Sequence, residues 1–220
     1  MKAAGKGYWQ NYPKFHVSLL TAWYGEHATA ENDYCYDYLP KNEANHSFIA
    51  IFHALNEGTL KGLWLMGQNP AVASPNSRFA QEGLKKLEWM VIQEIFPTET
   101  VEFWRAPGED PARIATEVFV LPAADALEKA GGIATSGRLL QWRPAVATPP
   151  GVAKPDHWIL DRLCHAIKEA YAGSSDPKDR AILDLQWDYG SEIDVELVAR
   201  EINGYWTRDV LDDKGNVVGK

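Results

Sequence analysis

Positive charge is scarce in this sequence. Twenty-two lysine and arginine residues face 30 aspartate and glutamate residues, and the formal net charge of −8 leaves no basic footprint for nucleic acid. No apolar run approaches the roughly 18–20 residues that span a bilayer. Only two cysteines are present, Cys35 and Cys164, with no CxxC spacing, so they cannot form a four-ligand zinc or iron–sulfur site. The histidines His16, His27, His46, His53, His157 and His165 show neither HxxxH nor HxH spacing, and no metal role is expected of them. A GxSxG elbow and a GxGxxG fingerprint are both missing. The opening MKAAGKG (1–7) has no apolar stretch behind its lysines and no twin arginine. Against these absences stand a hydrophobic fraction of 45% and a charged fraction of 24%, ordinary for a folded chain. Nine tryptophans are the one excess, a load that fills thick cores or large interfaces.

Residues 1–45 read as an irregular flank. Val17–Trp23 is too short an apolar run to choose between helix and strand, and ENDYCYDYLP (31–40) interleaves aromatics with acids. Ser47 is placed to cap a helix through Asn56, with Phe48, Ile51, Phe52 and Leu55 on one face and Gly58 as its stop. Gly62–Met66 (GLWLM) predicts a strand buried on both faces. A loop over Gly67–Asn76, a helix over Ser77–Leu87 and a second buried strand over Glu88–Ile95 follow, the span of one parallel crossover unit. Glu117–Leu121 is a third strand ending at Pro122, after a long connection over Pro97–Arg113.

Beyond it, the spacing predicts a strand over Arg138–Arg143 and a proline-rich connector to Pro155. A helix then carries Ile159, Leu160, Leu163 and Ile167 on one face, followed by helical patches at Pro177–Leu185 and Asp194–Ile202. Asp212–Lys220 reads as a turn and an edge strand. The expected fold class is α/β, a mainly parallel sheet with crossover helices over 46–145 and a helical region over 146–220.

Loops at the carboxyl ends of parallel strands are where such sheets bind ligands. Gly67, Gln68, Asn69 and Pro70 (GQNP) end the first strand, where a glycine admits close approach and two amides offer polar edges. Gln93 and Glu94 end the second, followed by PTET (97–100). A carboxylate there can hold a ribose hydroxyl, and threonine hydroxyls can hold a phosphate. The same residue types also make ordinary turns. Acidic pairs such as Glu99/Glu102 and Asp212/Asp213 read as solvated, Cys35 and Cys164 as structural thiols, and no catalytic constellation is complete.

Taken in order, LKGLWLMGQNP (60–70), LEWMVIQEIFPTET (87–100) and TEVFVLP (116–122) resemble the molybdopterin oxidoreductases. PKFHVSLLTAWYGEHATAENDYCYDYLPK (13–41), SGRLLQW (136–142) and VELVAREINGY (195–205) are similar to the catalytic subunit of respiratory, membrane-associated formate dehydrogenases. The resemblance implies a bis-molybdopterin guanine dinucleotide cofactor with molybdenum or tungsten, and an iron–sulfur cluster in the parent subunit. By position it assigns Gly67, Gln68, Asn69 and Pro70 to a loop at a guanine dinucleotide. Gln93 and Glu94 match the next strand end, with Glu94 in place of the usual Asp, and Thr98 matches the first threonine of a T-x-T.

The family's cysteine-rich cluster motif, its catalytic cysteine or selenocysteine and the adjacent histidine and arginine find no match here. The family favours Glu-Gly and an Asn before its Gly-Arg, where this chain has Ala130-Gly131 and Thr135 before Gly137-Arg138. The implied role is a piece of a formate dehydrogenase subunit, inactive alone. Its implied partners are the rest of that subunit and the iron–sulfur and membrane cytochrome subunits. The parent complex would be periplasmic and membrane-associated, while this chain made alone would stay cytoplasmic. A docking module, with Trp9, Trp23, Trp104 and Trp206 marking an exposed seam, and a truncated remnant are the alternatives.

Overall fold

The computed structural model describes residues 8–41, 44–135, 140–203 and 210–219. Along the chain these form α1 (Tyr8–Tyr24), α2 (Phe48–Asn56), β1 (Gly62–Met66), α3 (Pro70–Ala73), α4 (Ser77–Leu84), β2 (Trp89–Glu94) and β3 (Glu117–Pro122). There follow β4 (Gly131–Ala134), β5 (Leu140–Arg143), α5 (Asp156–Tyr171), α6 (Arg180–Leu183), α7 (Val195–Asn203), β6 (Val210–Leu211) and β7 (Val217–Gly219). Two compact units divide the chain. One comprises Asn42–Ala130 and Pro144–Asp156; the other comprises Met1–Lys41, Gly131–Arg143 and His157–Lys220.

The first unit is α/β. Strands β1, β2 and β3 pair in that order, all parallel, with Leu65 opposite Ile92 and Ile92 opposite Val120. The Ser47 hydroxyl accepts the Ala50 N–H and caps α2, and Asn76 Oδ1 accepts the Phe79 N–H and caps α4. Alternation along β2 sends Met90 and Ile92, both fully buried, into one cluster with Phe52, Leu55, Ala80, Leu84, Leu87, Val101 and Phe103. Each large side chain so buried contributes about 1.5–3 kcal/mol. Close approach of α4 to α2 depends on Gly83, where a Cβ would lie 3.0 Å from that of Leu55.

Several expectations are corrected here. Neither β1 nor β2 is buried on both faces along its length: β1 is half-buried until Met66, which is exposed, and Trp89 at the start of β2 is 43% exposed. The helices α2 and α4 pack on the Met90–Ile92 side; on the opposite face Met66, Trp89 and Phe119 stay exposed while Trp64, Val91 and Leu121 are half-buried. The loop over 67–76 contains a helical turn, α3, because Pro70 at its first position presets φ and needs no N–H partner. The helix expected to reach Leu87 stops at Leu84.

In the other unit, α1 runs for 17 residues through the stretch read as irregular, with Pro13 inside it. Its Leu20 and Tyr24 are buried with Cys35. Residues 30–38 are 3-10 turns interrupted by three consecutive left-handed residues, Asp33, Tyr34 and Cys35 (φ 50°, 55° and 63°). Asn32 braces them: its Oδ1 accepts the N–H of Thr29 and of Cys35, and its Nδ2 donates to the His27 carbonyl. Gly131 and Gly132, for which the sequence suggests no strand, begin β4, antiparallel to β5. Two glycines concealed a strand that exists because β5 supplies its ladder partners. Asp212 Oδ1 accepts the N–H of Lys214 and Asn216, setting the turn between β6 and β7. Met1–Gly7, Gly137, Arg138, Gly204 and Trp206 lie outside the described residues.

The tryptophans are also redistributed. Trp23 is half-buried, its indole N–H donating to Glu201 at 3.0 Å, and Trp104 packs on the sheet core edge-to-face with Phe103. They are packing residues, while Trp89 and Trp142 are exposed. The side chain of Trp9 lies outside the described ones.

Candidate functional site

The carboxyl ends of β1, β2 and β3 carry the candidate site, all within the α/β unit. Gly67 leaves β1 with φ +60°, a conformation glycine enters without penalty, and its N–H donates to the Gln93 carbonyl at 2.9 Å. Gln68 is exposed and Pro70 buried. Asn69 is not free to read a ligand with its amide. Its Oδ1 accepts the hydroxyl of Thr100 at 2.7 Å and the Thr100 N–H at 3.2 Å, while its Nδ2 donates to Glu99 at 2.7 Å. The fully buried Thr100 hydroxyl also accepts the Ala71 N–H at 3.0 Å. Two strand-end loops far apart in sequence are thereby locked into one surface.

That bond from Asn69, reinforced by a backbone N–H, holds the Glu99 carboxyl below the usual carboxylate range. Thr98 is half-buried and turns inward: its hydroxyl accepts the Val101 N–H at 3.4 Å and its carbonyl the Glu102 N–H. Glu94 is half-buried, and its carboxylate accepts the next N–H, that of Ile95, at 2.9 Å.

Gln93 is 1% exposed, on the face of β2 opposite Met90 and Ile92. Its Nε2 donates to Asp156 Oδ1 at 2.5 Å, and Asp156 Oδ2 pairs with Lys129. Its Oε1, equally buried, has no hydrogen-bond partner among the described residues. Buried acceptors in native proteins are nearly always satisfied. The sequence reading missed Thr100, Asp156 and Lys129. Thr100 stood in the quoted PTET, two residues from the threonine chosen. Asp156 lies 63 residues from Gln93, and its only local signal was that of a helix start.

Other features lead away from chemistry. A cavity of about 200 Å3 lined by Trp104, Pro111, Ile114, Thr116 and Val118 sits beside the amino end of β3, opposite the loops. Cys35 is buried, its thiol donating to the His27 carbonyl at 3.1 Å; Cys164 is half-buried. Burial pushes both thiols up, away from the thiolate a nucleophile needs. His53 rests on the Phe79 ring and His165 is exposed. Among the described residues no group of three or more His, Cys, Asp and Glu side chains could hold a metal ion, and no helix is long and apolar enough to cross a membrane.

In open α/β sheets the carboxyl ends of the strands, where these loops are knitted together, are where ligands bind. Sequence comparison gives that architecture its family. The profile of the molybdopterin oxidoreductases matches residues 38–166, and the chain belongs to that family. It is 38% identical over 219 residues, 97% of its length, to the nitrate-inducible formate dehydrogenase major subunit of Escherichia coli. It is 39% identical over 210 residues, 94% of its length, to the alpha subunit of formate dehydrogenase 2 (cytochrome c-553) of Nitratidesulfovibrio vulgaris. A nitrate reductase of Shewanella frigidimarina matches 52% of the chain at 33% identity. The chain spans about a fifth of these formate dehydrogenase subunits, 22% and 20% of their lengths. Membership implies a molybdopterin cofactor with molybdenum. The residues at the strand ends fit such a group: a buried carboxamide oxygen awaits a donor, and a half-open carboxylate and a lysine adjoin it.

Proposed function

We propose that the chain is part of a formate dehydrogenase catalytic subunit and forms one wall of the pocket for a molybdopterin guanine dinucleotide. The wall comprises Gly67, Gln68, Asn69, Pro70, Gln93, Glu94 and Thr98. The supporting observation is the Asn69–Thr100 clasp, which fuses two strand-end loops into one surface at the position where parallel sheets take nucleotides. Gly67 and Gln68 line that surface with backbone and an exposed amide. Asn69 and Thr98 shape it from within. When bound, the cofactor's molybdenum or tungsten supplies the two-electron chemistry that oxidises formate to carbon dioxide, and an iron–sulfur cluster in the rest of the subunit carries the electrons on. The iron–sulfur and cytochrome subunits of a periplasmic, membrane-associated complex are the partners in this reading, and the chain made alone stays cytoplasmic and inactive.

The test is formate-dependent dye reduction by the purified chain, alone and co-expressed with the complementary region of a relative's subunit. Turnover by the chain alone would overturn the reading, and so would failure of the two pieces to co-purify. A docking role for the chain is favoured by one observation, the exposed apolar residues Met66, Trp89 and Phe119 on one face of the sheet. Co-purification without restored activity would select it.

A further inference from the structure

Asn45 marks a surface feature that the cofactor reading leaves untouched. Of the nine asparagines in the sequence, it alone begins an Asn-x-Ser/Thr triplet, Asn45-His46-Ser47, with no proline at the middle position. That triplet is the acceptor pattern for N-linked glycans. Glu43 stands two residues before the asparagine, an acid where bacterial oligosaccharyltransferases read one. A triplet serves as an acceptor only where its backbone and both of its polar side chains can be reached.

Here they can. Asn45, His46 and Ser47 are all exposed and lie outside any helix or strand, and Ser47 is extended at φ −63° and ψ 156°. The Asn45 side chain folds back on the triplet as an Asx turn, its Oδ1 accepting the Ser47 N–H at 2.9 Å. The carboxamide is thus fixed by its oxygen. Its Nδ2, the atom to which a glycan attaches, donates to none of the described residues. The Ser47 hydroxyl serves the fold only as an acceptor, from the Ala50 N–H at 3.4 Å, so its own O–H stays uncommitted. Both the Asx turn and the cap of α2 use oxygens, whereas attachment takes place at nitrogen. Glycosylation therefore requires neither bond to break.

We propose that Asn45 is a site of N-linked glycosylation, with a polyprenyl diphosphate-linked oligosaccharide as the donor. Nδ2 attacks the anomeric carbon of the first sugar, and the C–N bond forms as the C–O bond to the diphosphate breaks. The lipid diphosphate leaves with the bonding pair and the amide gives up one proton, so no oxidant or reductant takes part. The glycan stands next to Phe48 and Ile49, the exposed apolar residues at the start of α2 (43% and 60%).

The test incubates the purified, folded chain with a bacterial oligosaccharyltransferase and a polyprenyl diphosphate-linked oligosaccharide. Intact mass and peptide mapping read the product, and a known acceptor protein run in parallel shows that the transferase is active. A mass gain of one glycan at Asn45 is expected. It should vanish in Asn45→Gln and Ser47→Ala, persist in Ser47→Thr, which keeps the hydroxyl, and fall in Glu43→Gln. Circular dichroism checks the fold of each variant, since Ser47→Ala also removes the cap of α2. Asn45→Gln, at an exposed position, decides the matter if that variant does not fold. The glycosylated chain should melt at the temperature of the unmodified one. An unmodified folded chain beside a modified control overturns the proposal. So does modification that requires prior denaturation, or a mass gain that persists in Asn45→Gln.

Discussion

Asn69 and Thr100, 31 residues apart, share a two-pronged contact in which one amide oxygen accepts both the hydroxyl and the backbone N–H of the threonine. The contact explains how GQNP and PTET, each an ordinary turn by composition, become one rigid surface. It also divides the candidate residues by task. Asn69 and Thr100 tie the loops together, Gln68 stays exposed beside them, and the buried Gln93 Oε1 has no partner among the described residues.

Removing the Thr100 hydroxyl should loosen this surface measurably. Thr100→Val leaves Asn69 Oδ1 short of one donor and the Ala71 N–H without its acceptor in a site fully closed to water. Urea denaturation is expected to show a loss of about 1–3 kcal/mol, with Thr100→Ser recovering most of it. Thr98→Val, which gives up only the longer 3.4 Å contact to Val101, should cost clearly less.

Gly62 sits opposite Trp89 in the sheet, and a methyl group on Gly62 would overlap the indole. Gly62→Ala is expected to destabilise the sheet by about 1–3 kcal/mol. In a Trp89→Ala background the penalty should largely disappear, because the overlapping ring is gone. A double-mutant cycle by denaturation measures the coupling, and additive costs would contradict it.

Glycine should stabilise the chain at Asp33. This residue is exposed, opens the left-handed run Asp33–Cys35 and carries φ +50°. A left-handed conformation costs an L-residue roughly 1–2 kcal/mol, relieved in Asp33→Gly and only partly offset by the freer unfolded chain. The melting temperature is expected to rise. Asp33→Val, β-branched, should lower it.

Stability should fall on the alkaline side. Burial, and then its hydrogen bonds to Glu201, push the Tyr189 hydroxyl far above the usual phenol range; burial also raises Tyr24, Tyr38 and Cys35. A raised folded pKa means the protonated form is the one stabilised. Its contribution is fully present below the unfolded value, about 10 for tyrosine and 8.5 for cysteine, and is lost as pH rises beyond it. Melting temperatures should therefore be level through neutrality and decline from about pH 9. Tyr189→Phe should flatten the decline above about pH 10, and an unchanged slope would count against this cause.

Much of the α/β unit was legible because its signals are local. Ser47 and Asn76 cap helices with their own side chains, and Met90 and Ile92 alternate with their neighbours along β2. The family motifs were legible for the same reason, since GQNP and QE fall at strand ends that periodicity already marks. The glycine pair of β4 was not legible: strand character there comes from the partner β5 rather than from its own residues.

What the sequence determined by itself includes its shortages: a net charge of −8 and two cysteines without CxxC spacing. It also determined a set of parallel strands with polar loops at their carboxyl ends. Only the tertiary structure decided which side chains in those loops are spent on the fold and which stay open. Asn69 and Thr98 look like ligand-binding residues in one dimension, but each satisfies a nearby N–H or hydroxyl. Asp156 looks like a helix start, yet it meets Gln93 across 63 residues. Hydrogen-bond capacity is finite, and which groups exhaust it depends on neighbours that only folding brings together.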